Sequence, residues 1–317
     1  MSDILRPVEL LYQTLNRTRR ALYRRKVLAA RRLPRPVVSI GNLSVGGSGK
    51  TPLTIHVVEI LQSRQLRVAV LTRGYGRSGG DEWAIVDSSD SRRFGDEPVL
   101  LASRLPDADV VVGADRHRAG VRFLEISDCD VFVLDDGFQH LQLQRDLDIV
   151  IDDPGSRWNR EGRTALADAD IRITRASSVD DSADGGFFLG SLEPSAVRRG
   201  SGRRPVESIR GTRCVAMAAL ARNDRFFSML EKTGVDLAKT WSFPDHHDYS
   251  AAELEAVENS RVATGAELIV TTEKDAVKLP PDFDCSIIEV NMKIIPEDLF
   301  RTRLLEGIGA EAGVATR

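Results

Sequence analysis

The sequence lacks the features of a membrane-spanning, disulfide-stabilised or nucleic-acid-binding protein. None of its apolar runs approaches the roughly 18 residues that a helix needs to cross a bilayer. Its three cysteines, Cys129, Cys214 and Cys285, are scattered and show no paired zinc-ligand spacing. The net charge of −3 excludes a uniformly basic chain, so we expect no nucleic-acid partner. The beginning of the chain has no apolar secretory core, and we expect a reducing, cytoplasmic setting.

Positive charge is concentrated in residues 1–35, which we predict to form a basic amphipathic N-terminal helix. Arginines are interleaved there with leucine and tyrosine, and Leu11, Leu15 and Leu22 recur at helical spacing. Such a helix could lie on an anionic membrane surface, where each basic residue adds about 1 kcal/mol. It could equally be a solvated helix that packs on the body of the protein. The residues alone leave both interpretations open.

Apolar strand-like segments alternate with helical ones after residue 36. This pattern predicts an α/β fold of the P-loop NTPase type, with a mostly parallel sheet covered by helices on both faces. We place a P-loop core at 36–176 and a smaller C-terminal α/β domain at 212–317. Between them, at 177–211, Asp, Ser, Gly, Arg and Pro predominate, and we predict a linker.

The strongest chemical signal is the glycine-rich segment that ends in Lys50-Thr51, between a predicted strand and a predicted helix. Glycines let backbone N–H groups surround phosphate oxygens, the lysine reaches the outer phosphates, and the threonine hydroxyl can hold magnesium. Ser44 stands where the first glycine of the motif is usual. We predict nucleotide binding by the residues of this loop and the start of the helix: Ser44, Val45, Gly46, Gly47, Ser48, Gly49, Lys50, Thr51 and Pro52.

Two acids follow an apolar segment, Val131–Leu134, that we predict to be a neighbouring strand. Asp135 and Asp136 then emerge at the carboxyl end of the sheet, beside the loop, where they can hold a metal ion directly or through water. With Thr51 they form the predicted magnesium site. An apolar strand ending in two acids is otherwise often only a strand that meets a turn.

Four further segments carry candidate functional residues. Asp96 could cap a helix ahead of Pro98, and His246 could be a turn histidine whose hydrogen bonds are satisfied locally. Alternatively the two could act together, because an aspartate oriented by a histidine can accept a hydroxyl proton. Arg73 and Tyr75 follow a predicted strand and could contact an anion or a sugar, as could Arg116, although such clusters are usually ordinary surface charge.

Taken in order, these motifs resemble the tetraacyldisaccharide 4'-kinases, which phosphorylate the lipid A precursor. The similarity runs nearly end to end through the segments 39–52, Arg73-Gly74-Tyr75-Gly76, Gly95-Asp96-Glu97-Pro98, Asp115-Arg116, Leu134-Asp135-Asp136-Gly137-Phe138-Gln139-His140, Arg145-Asp146-Leu147, Phe243-Pro244-Asp245-His246-His247 and 271–278. One segment departs from the family pattern, because only Arg160-Glu161 remains of its Leu-Pro-Ala-Gly-Pro-Leu-Arg-Glu stretch.

The resemblance implies an enzyme that uses ATP and Mg²⁺ to phosphorylate the 4'-hydroxyl of a tetraacylated disaccharide 1-phosphate. It implies catalytic roles for Asp96, His246, Lys50 and Asp136. It further implies a peripheral location at the cytoplasmic face of the inner membrane, with the N-terminal helix on the anionic surface. We expect the protein to be a monomer. The residues expected to contact the acceptor are Arg73, Tyr75, Arg116, Gly137, Arg160 and Glu161.

Two other functions compete with this one. A P-loop GTPase or ATPase switch, such as a metal-insertion chaperone, would hydrolyse nucleotide to change conformation. Against it, Lys274 directly precedes Asp275 instead of standing two positions before it, and Val45 stands where related ATPases have a second lysine. A noncatalytic lipid-binding relative would not need the intact Lys50 and Asp135.

Overall fold

The structure is a computed structural model that describes residues 2–44, 47–75, 77–78, 80–87, 90–154, 159–175 and 187–310. Its helices are α1 (Ser2–Arg24), α2 (Lys50–Ser63), α3 (Ser91–Phe94), α4 (Asp96–Arg104), α5 (Arg116–Leu124), α6 (Asn223–Lys232), α7 (Ala251–Thr264), α8 (Glu273–Ala276) and α9 (Glu297–Gly307). Short 3₁₀ helices occupy Arg163–Asp168 and Val206–Ile209.

The strands form one mixed sheet. They are β1 (Val37–Asn42), β2 (Val68–Thr72), β3 (Trp83–Ile85), β4 (Asp109–Gly113), β5 (Val131–Leu134), β6 (Leu147–Asp152), β7 (Ile171–Arg175), β8 (Phe187–Arg199), β9 (Gly202–Pro205), β10 (Arg213–Ala218), β11 (Asp236–Ser242), β12 (Leu268–Thr272) and β13 (Ser286–Ile295). Their order is β11-β10-β12-β13-β8-β7-β6-β1-β5-β2-β4-β3, and β9 pairs with β8.

Most neighbouring strands are parallel, which confirms the predicted fold class. The antiparallel pairs in the described residues are β13 with β8, β4 with β3 and β8 with β9. The β8–β13 pair lies in the middle of the sheet. It joins the half that carries the predicted nucleotide site, β1 to β7 (the nucleotide-binding half), to a C-terminal half, β10 to β12.

The described part of the segment predicted as a linker, 177–211, forms mostly strands. Residues 176–186 lie outside the described part of the chain, but β8 and β9 occupy most of 187–205. Gly190 packs so tightly against β7 that a Cβ atom would lie 2.5 Å from Ile173 Cγ2. Pro194 lies at the register shift opposite Glu289 and Val290, where a proline is tolerated in a sheet. The polar segment therefore contains a strand, β8, that connects the two halves of the sheet.

The hydrophobic core of the nucleotide-binding half includes residues from the end of the chain. Phe300, Leu304 and Leu305 of α9 are buried in the same cluster as Val38 of β1 and Leu53 of α2. The helix predicted over 1–35 ends at Arg24, and 25–35 connects it to β1 without further helix. The predicted division into units at 36–176 and 212–317 remains a prediction, although α9 packs across it.

Candidate active site

The phosphate-binding loop connects β1 to α2 and is held by the last residue of the strand. Gly49 has a φ of +96°, a left-handed conformation that disfavours any side chain. The Asn42 amide donates hydrogen bonds to the buried hydroxyls of Ser44 and Ser48, at 3.3 and 2.6 Å. Lys50 Nζ donates to Asn42 Oδ1 at 3.4 Å. Asn42 thus fixes both ends of the loop, a role that the sequence did not reveal.

The other predicted loop residues follow the expected order of strand, loop and helix. Val45 and Gly46 lie outside the described residues. Lys50, Thr51 and Pro52 are the first three residues of α2, whose N-terminal N–H groups favour an anion. The arrangement can therefore receive the phosphates of a nucleotide.

Asp135 follows β5 directly and is almost completely buried. Thr54 Oγ1 and Thr72 Oγ1 donate hydrogen bonds to its two carboxylate oxygens, at 3.0 and 3.4 Å. Burial, together with the negative charges of Glu97 and Asp136, raises the pKa of Asp135 to about 7. A nearby cation would favour its ionised form.

Asp136 lies between two cations and takes a left-handed backbone conformation, with a φ of +50°. Its Oδ1 is 3.6 Å from Lys50 Nζ, and its Oδ2 accepts a hydrogen bond from Arg160 Nη1 at 3.2 Å. Burial alone would raise its pKa, but the charges of Lys50, Arg160 and Arg116 lower it below the usual aspartate value. The pKa values of the two adjacent acids are therefore shifted in opposite directions.

The residues present fit a magnesium ion bound together with phosphates. Within the described ranges, no three His, Cys, Asp or Glu residues converge as a metal cage. Mg²⁺ commonly needs only one or two carboxylates when substrate phosphates complete its coordination. Asp136 Oδ1 is buried and has no hydrogen-bond partner among the described residues, which leaves it available as a ligand. Thr51, Asp135 and Asp136 are the candidates for this ion.

A second basic group lies near the two acids. Arg116 is the first residue of α5 and is buried. Burial, together with the positive charge of Arg73, lowers the pKa of Arg116 to about 10, and the negative charges of Asp136 and Asp135 oppose this shift. Its Nε has no hydrogen-bond partner in the described part of the structure. Arg73 and Tyr75 are exposed on the segment after β2. These side chains can contact an anionic or polar substrate.

The structure brings together Asp96 and His246, which are 150 positions apart. Asp96 is the first residue of α4 in the nucleotide-binding half, and His246 follows β11 in the C-terminal half. The distance between His246 Nδ1 and Asp96 Oδ2 is 3.3 Å. The Tyr75 ring lies 6.0 Å from the His246 ring. The two side chains that were predicted to act together are therefore within hydrogen-bond distance of each other.

Two of the residues predicted to contact the acceptor also have packing roles inside the protein. Glu161 is 3% exposed and pairs with the Arg20 guanidinium, whose Nη2 lies 2.8 Å from Glu161 Oε1. A Cβ atom on Gly137 would lie 2.6 Å from Leu134 Cγ, so this glycine allows close packing of the chain after β5. Direct acceptor contact at Gly137 and Glu161 remains a prediction. Arg160, next to Glu161, does face Asp136.

These features define a P-loop NTPase-type protein with a nucleotide site at the carboxyl ends of β1 and β5. A family model described as "Tetraacyldisaccharide-1-P 4'-kinase" matches residues 1–308. The chain belongs to this family.

Known proteins support the same assignment. A tetraacyldisaccharide 4'-kinase from Pelobacter propionicus is 40% identical over 303 residues, covering 87% of this chain and 83% of the relative. The protein of the same name from Syntrophus aciditrophicus is 33% identical and covers 96% and 92%. A crystal structure of LpxK from Aquifex aeolicus, an "apo" form in complex with ATP, has a TM-score of 0.80 at 29% identity and covers 97% of this chain and 99% of that one.

Proposed function

We propose that this chain is an ATP-dependent kinase that transfers the γ-phosphate to the 4'-hydroxyl of a tetraacyldisaccharide 1-phosphate. Family membership and the names of the relatives supply the substrate class. The observation that carries the proposal is the 3.6 Å approach of Lys50 Nζ to Asp136 Oδ1, which puts the phosphate-binding lysine beside a candidate metal ligand. ATP is the nucleotide in the similar LpxK structure.

In the proposed reaction, Asp96 is the proton acceptor. His246 holds Asp96 Oδ2, and the other carboxylate oxygen takes the proton of the 4'-hydroxyl as that oxygen attacks the γ-phosphorus. A new O–P bond forms, the bond to the bridging oxygen of ADP breaks, and ADP leaves. Lys50, with Arg116 nearby, stabilises the negative charge that develops on the phosphoryl oxygens.

Mg²⁺ is part of the proposal. When bound, the ion would neutralise charge on the phosphate oxygens. Thr51, Asp135 and Asp136 would hold it, and the hydroxyls of Thr54 and Thr72 keep the Asp135 carboxylate in a fixed orientation.

We further propose that the protein acts peripherally at the cytoplasmic face of the inner membrane. In the described residues, no helix is sufficiently long and apolar to cross a bilayer. One side of α1 is attached to the body of the protein: the Asn16 amide donates to the Arg160 carbonyl at 2.9 Å, and Arg20 is buried. Arg17 and Arg24 are exposed and can reach anionic lipid headgroups, and Arg24 Nη1 also lies 3.5 Å from Asp168 Oδ1. Both members of the Asp96–His246 pair come from one chain, which supports action as a monomer.

Phosphoryl transfer is favoured over a conformational switch. A switch needs only nucleotide hydrolysis, whereas the Asp96–His246 pair provides a proton acceptor for a second substrate. Family membership favours the same conclusion.

The test is incubation with γ-labelled ATP and tetraacyldisaccharide 1-phosphate, followed by separation of the lipid. We expect labelled lipid, and a loss of roughly three orders of magnitude in kcat/KM for Lys50→Met. Lys232→Met removes the same charge from the exposed end of α6 and is the matched control. Label found only in free phosphate would support the switch instead.

A further inference from the structure

Two lysines of the segment 271–278, to which neither the sequence nor the proposed mechanism assigns a role, lie against the Asp96–His246 pair. Lys274 is in α8, and Lys278 follows one turn later. Lys278 is 5% exposed, and its Nζ donates a hydrogen bond to the His247 carbonyl at 2.8 Å. It also lies 3.5 Å from Asp275 Oδ1 and 3.9 Å from Asp96 Oδ2. Lys278 thus attaches the histidine-bearing loop to α8.

Asp275 anchors this arrangement in the interior. Its side chain is completely buried, and its Oδ2 accepts hydrogen bonds from the Ala219 backbone N–H at 3.1 Å and from Thr272 Oγ1 at 2.6 Å. The ends of β10 and β12 therefore fix the position of α8. A lysine on α8 consequently has a defined position relative to His246.

Lys274 contacts the ring nitrogen of His246 that does not face Asp96. Its Nζ lies 3.1 Å from His246 Nε2 and 3.1 Å from Asp245 Oδ1, with Glu97 Oε1 at 3.9 Å. The Lys274 side chain is 16% exposed, whereas the His246 ring that it contacts is 39% exposed. The negative charges of Asp245 and Glu97 hold the Lys274 ammonium in place.

An ammonium group has hydrogens to donate and no acceptor, so the nitrogen that it contacts must be the acceptor. Nε2 of His246 therefore carries no proton, and Nδ1 carries it and donates to Asp96 Oδ2. We propose that Lys274 is a positioning residue that fixes His246 in the Nδ1–H tautomer and thereby directs this hydrogen bond to Asp96. In the described part of the chain, the other charged or titratable groups near the pair include Glu97, Asp245, Lys278, Tyr75 and Tyr249.

This inference rests on the proposed function for its catalytic consequence. In the other tautomer, Nδ1 would present a lone pair to the Asp96 carboxylate, and the pair would lose its hydrogen bond. Asp96 would then be free to rotate away from the acceptor hydroxyl. A wrong histidine tautomer is strongly harmful in comparable catalytic arrangements.

The direct test is ¹⁵N NMR of the histidine side chains in the full chain, at about pH 9, where an ordinary imidazole is neutral. The chain has five histidines, and the signals missing from His246→Gln identify the relevant ring. We expect the Nδ1–H pattern in the wild type, in Lys232→Met and in Lys274→Arg, which keeps a donor. In Lys274→Met we expect a substantial population of the Nε2–H form. An Nε2–H pattern in the wild type, or an unchanged spectrum in Lys274→Met, would overturn the proposal.

Kinetics supply the second readout. We expect kcat of Lys274→Met to fall roughly tenfold with little change in KM for ATP, because the loss concerns one charge-assisted hydrogen bond outside the nucleotide site. Lys274→Arg should recover most of the rate. A wild-type kcat in Lys274→Met would remove the positioning role. If the wild-type chain phosphorylates no lipid, the proposed function fails, whereas the NMR spectrum needs neither substrate and still decides the tautomer.

Discussion

The nucleotide-binding end of the site and the Asp96–His246 end are built in different ways. Lys50, Asp135 and Asp136 all follow adjacent parallel strands of one half of the sheet, so local topology alone brings them together. Asp96 and His246 come from different halves, and their contact depends on how the halves are held. The first arrangement is therefore preformed, whereas the second can be altered from a distance.

A buried ion pair outside the site stabilises the contact between the Asp96 and His246 ends of the two halves. Arg104, the last residue of α4, donates to Glu273 Oε1 at 2.6 Å, and Glu273 Oε2 accepts from the Val290 backbone N–H at 3.1 Å. Both side chains are about nine-tenths buried. Arg104 thus links the helix that carries Asp96 to the helix that carries Lys274.

The largest expected effect concerns the pair itself. We expect Asp96→Ala and His246→Ala each to lower kcat by roughly two to four orders of magnitude, because each removes a member of the proton-accepting unit. The double variant should be about as slow as the slower single variant, since the two residues act together. Lipid phosphorylation at saturating ATP measures this. Wild-type rates in both single variants would remove these residues from the mechanism.

The link between the halves gives the next largest effect. Arg104→Met leaves the buried carboxylate of Glu273 without its cation, and burial already raises the pKa of Glu273. We expect the free energy of unfolding to fall by about 3 kcal/mol, measured by urea denaturation. The matched variant Arg104→Met with Glu273→Gln removes both charges and should recover at least half of this loss. Equal instability in the two variants would mean that packing, and not charge, holds the helices.

Asp135 provides an opposite case, in which removing a site residue should stabilise the protein. Because its pKa is raised to about 7 in the folded chain, the folded state binds more protons than the unfolded one between about pH 4 and 7. This contribution to stability is present at acidic pH and is lost as the pH rises through 7. Without Mg²⁺ and nucleotide, Asp135→Asn should therefore be more stable than the wild type at pH 8, by about 1–3 kcal/mol.

Thermal unfolding at pH 5 and pH 8 tests this expectation. The advantage of Asp135→Asn should shrink at pH 5, where the wild-type carboxyl is largely protonated. The same variant should lose kinase activity, since it lacks a candidate magnesium ligand. A stability difference that does not depend on pH would contradict the assignment of the raised pKa to Asp135.

The smallest effects are expected on α1. Arg17→Gln and Arg24→Gln should each weaken binding to anionic vesicles roughly fivefold, which corresponds to about 1 kcal/mol per basic residue. Arg204→Gln, on β9 in another part of the molecule, is the control. Co-sedimentation with phosphatidylglycerol vesicles measures the change. Unchanged binding in the double variant would assign α1 a packing role alone.

The sequence predicted the nucleotide-binding end well because its signals are local. Val131–Leu134 has the predicted bounds, and the glycine-rich loop lies between β1 and α2 as expected. Apart from the Asp96–His246 pair, which the family resemblance implied, polar contacts between distant residues were not predictable. Arg20 is one of many arginines in a basic helix, and nothing local distinguishes it as the one buried against Glu161.

The bridging strand β8 was missed for a related reason. Gly190 and Pro194 interrupt its apolar pattern, and a single sequence cannot show that β13 supplies its partner. The same limit applies to Lys274, whose importance depends on His246 lying beside it across 28 positions. The residues with chemical roles were recognisable by type, whereas those that orient them became visible only in three dimensions.

The packing of α9 has a consequence for synthesis of the chain. Because Phe300 and Leu304 belong to the same core as α2 and β1, that half cannot complete its packing during synthesis until α9 has left the ribosome. His56 of α2 also obtains its partner only when α9 is made, since His56 Nε2 lies 3.2 Å from Glu297 Oε2. A stop codon shortly before α9 would therefore yield a product that retains every proposed catalytic side chain and still lacks a stable place for ATP.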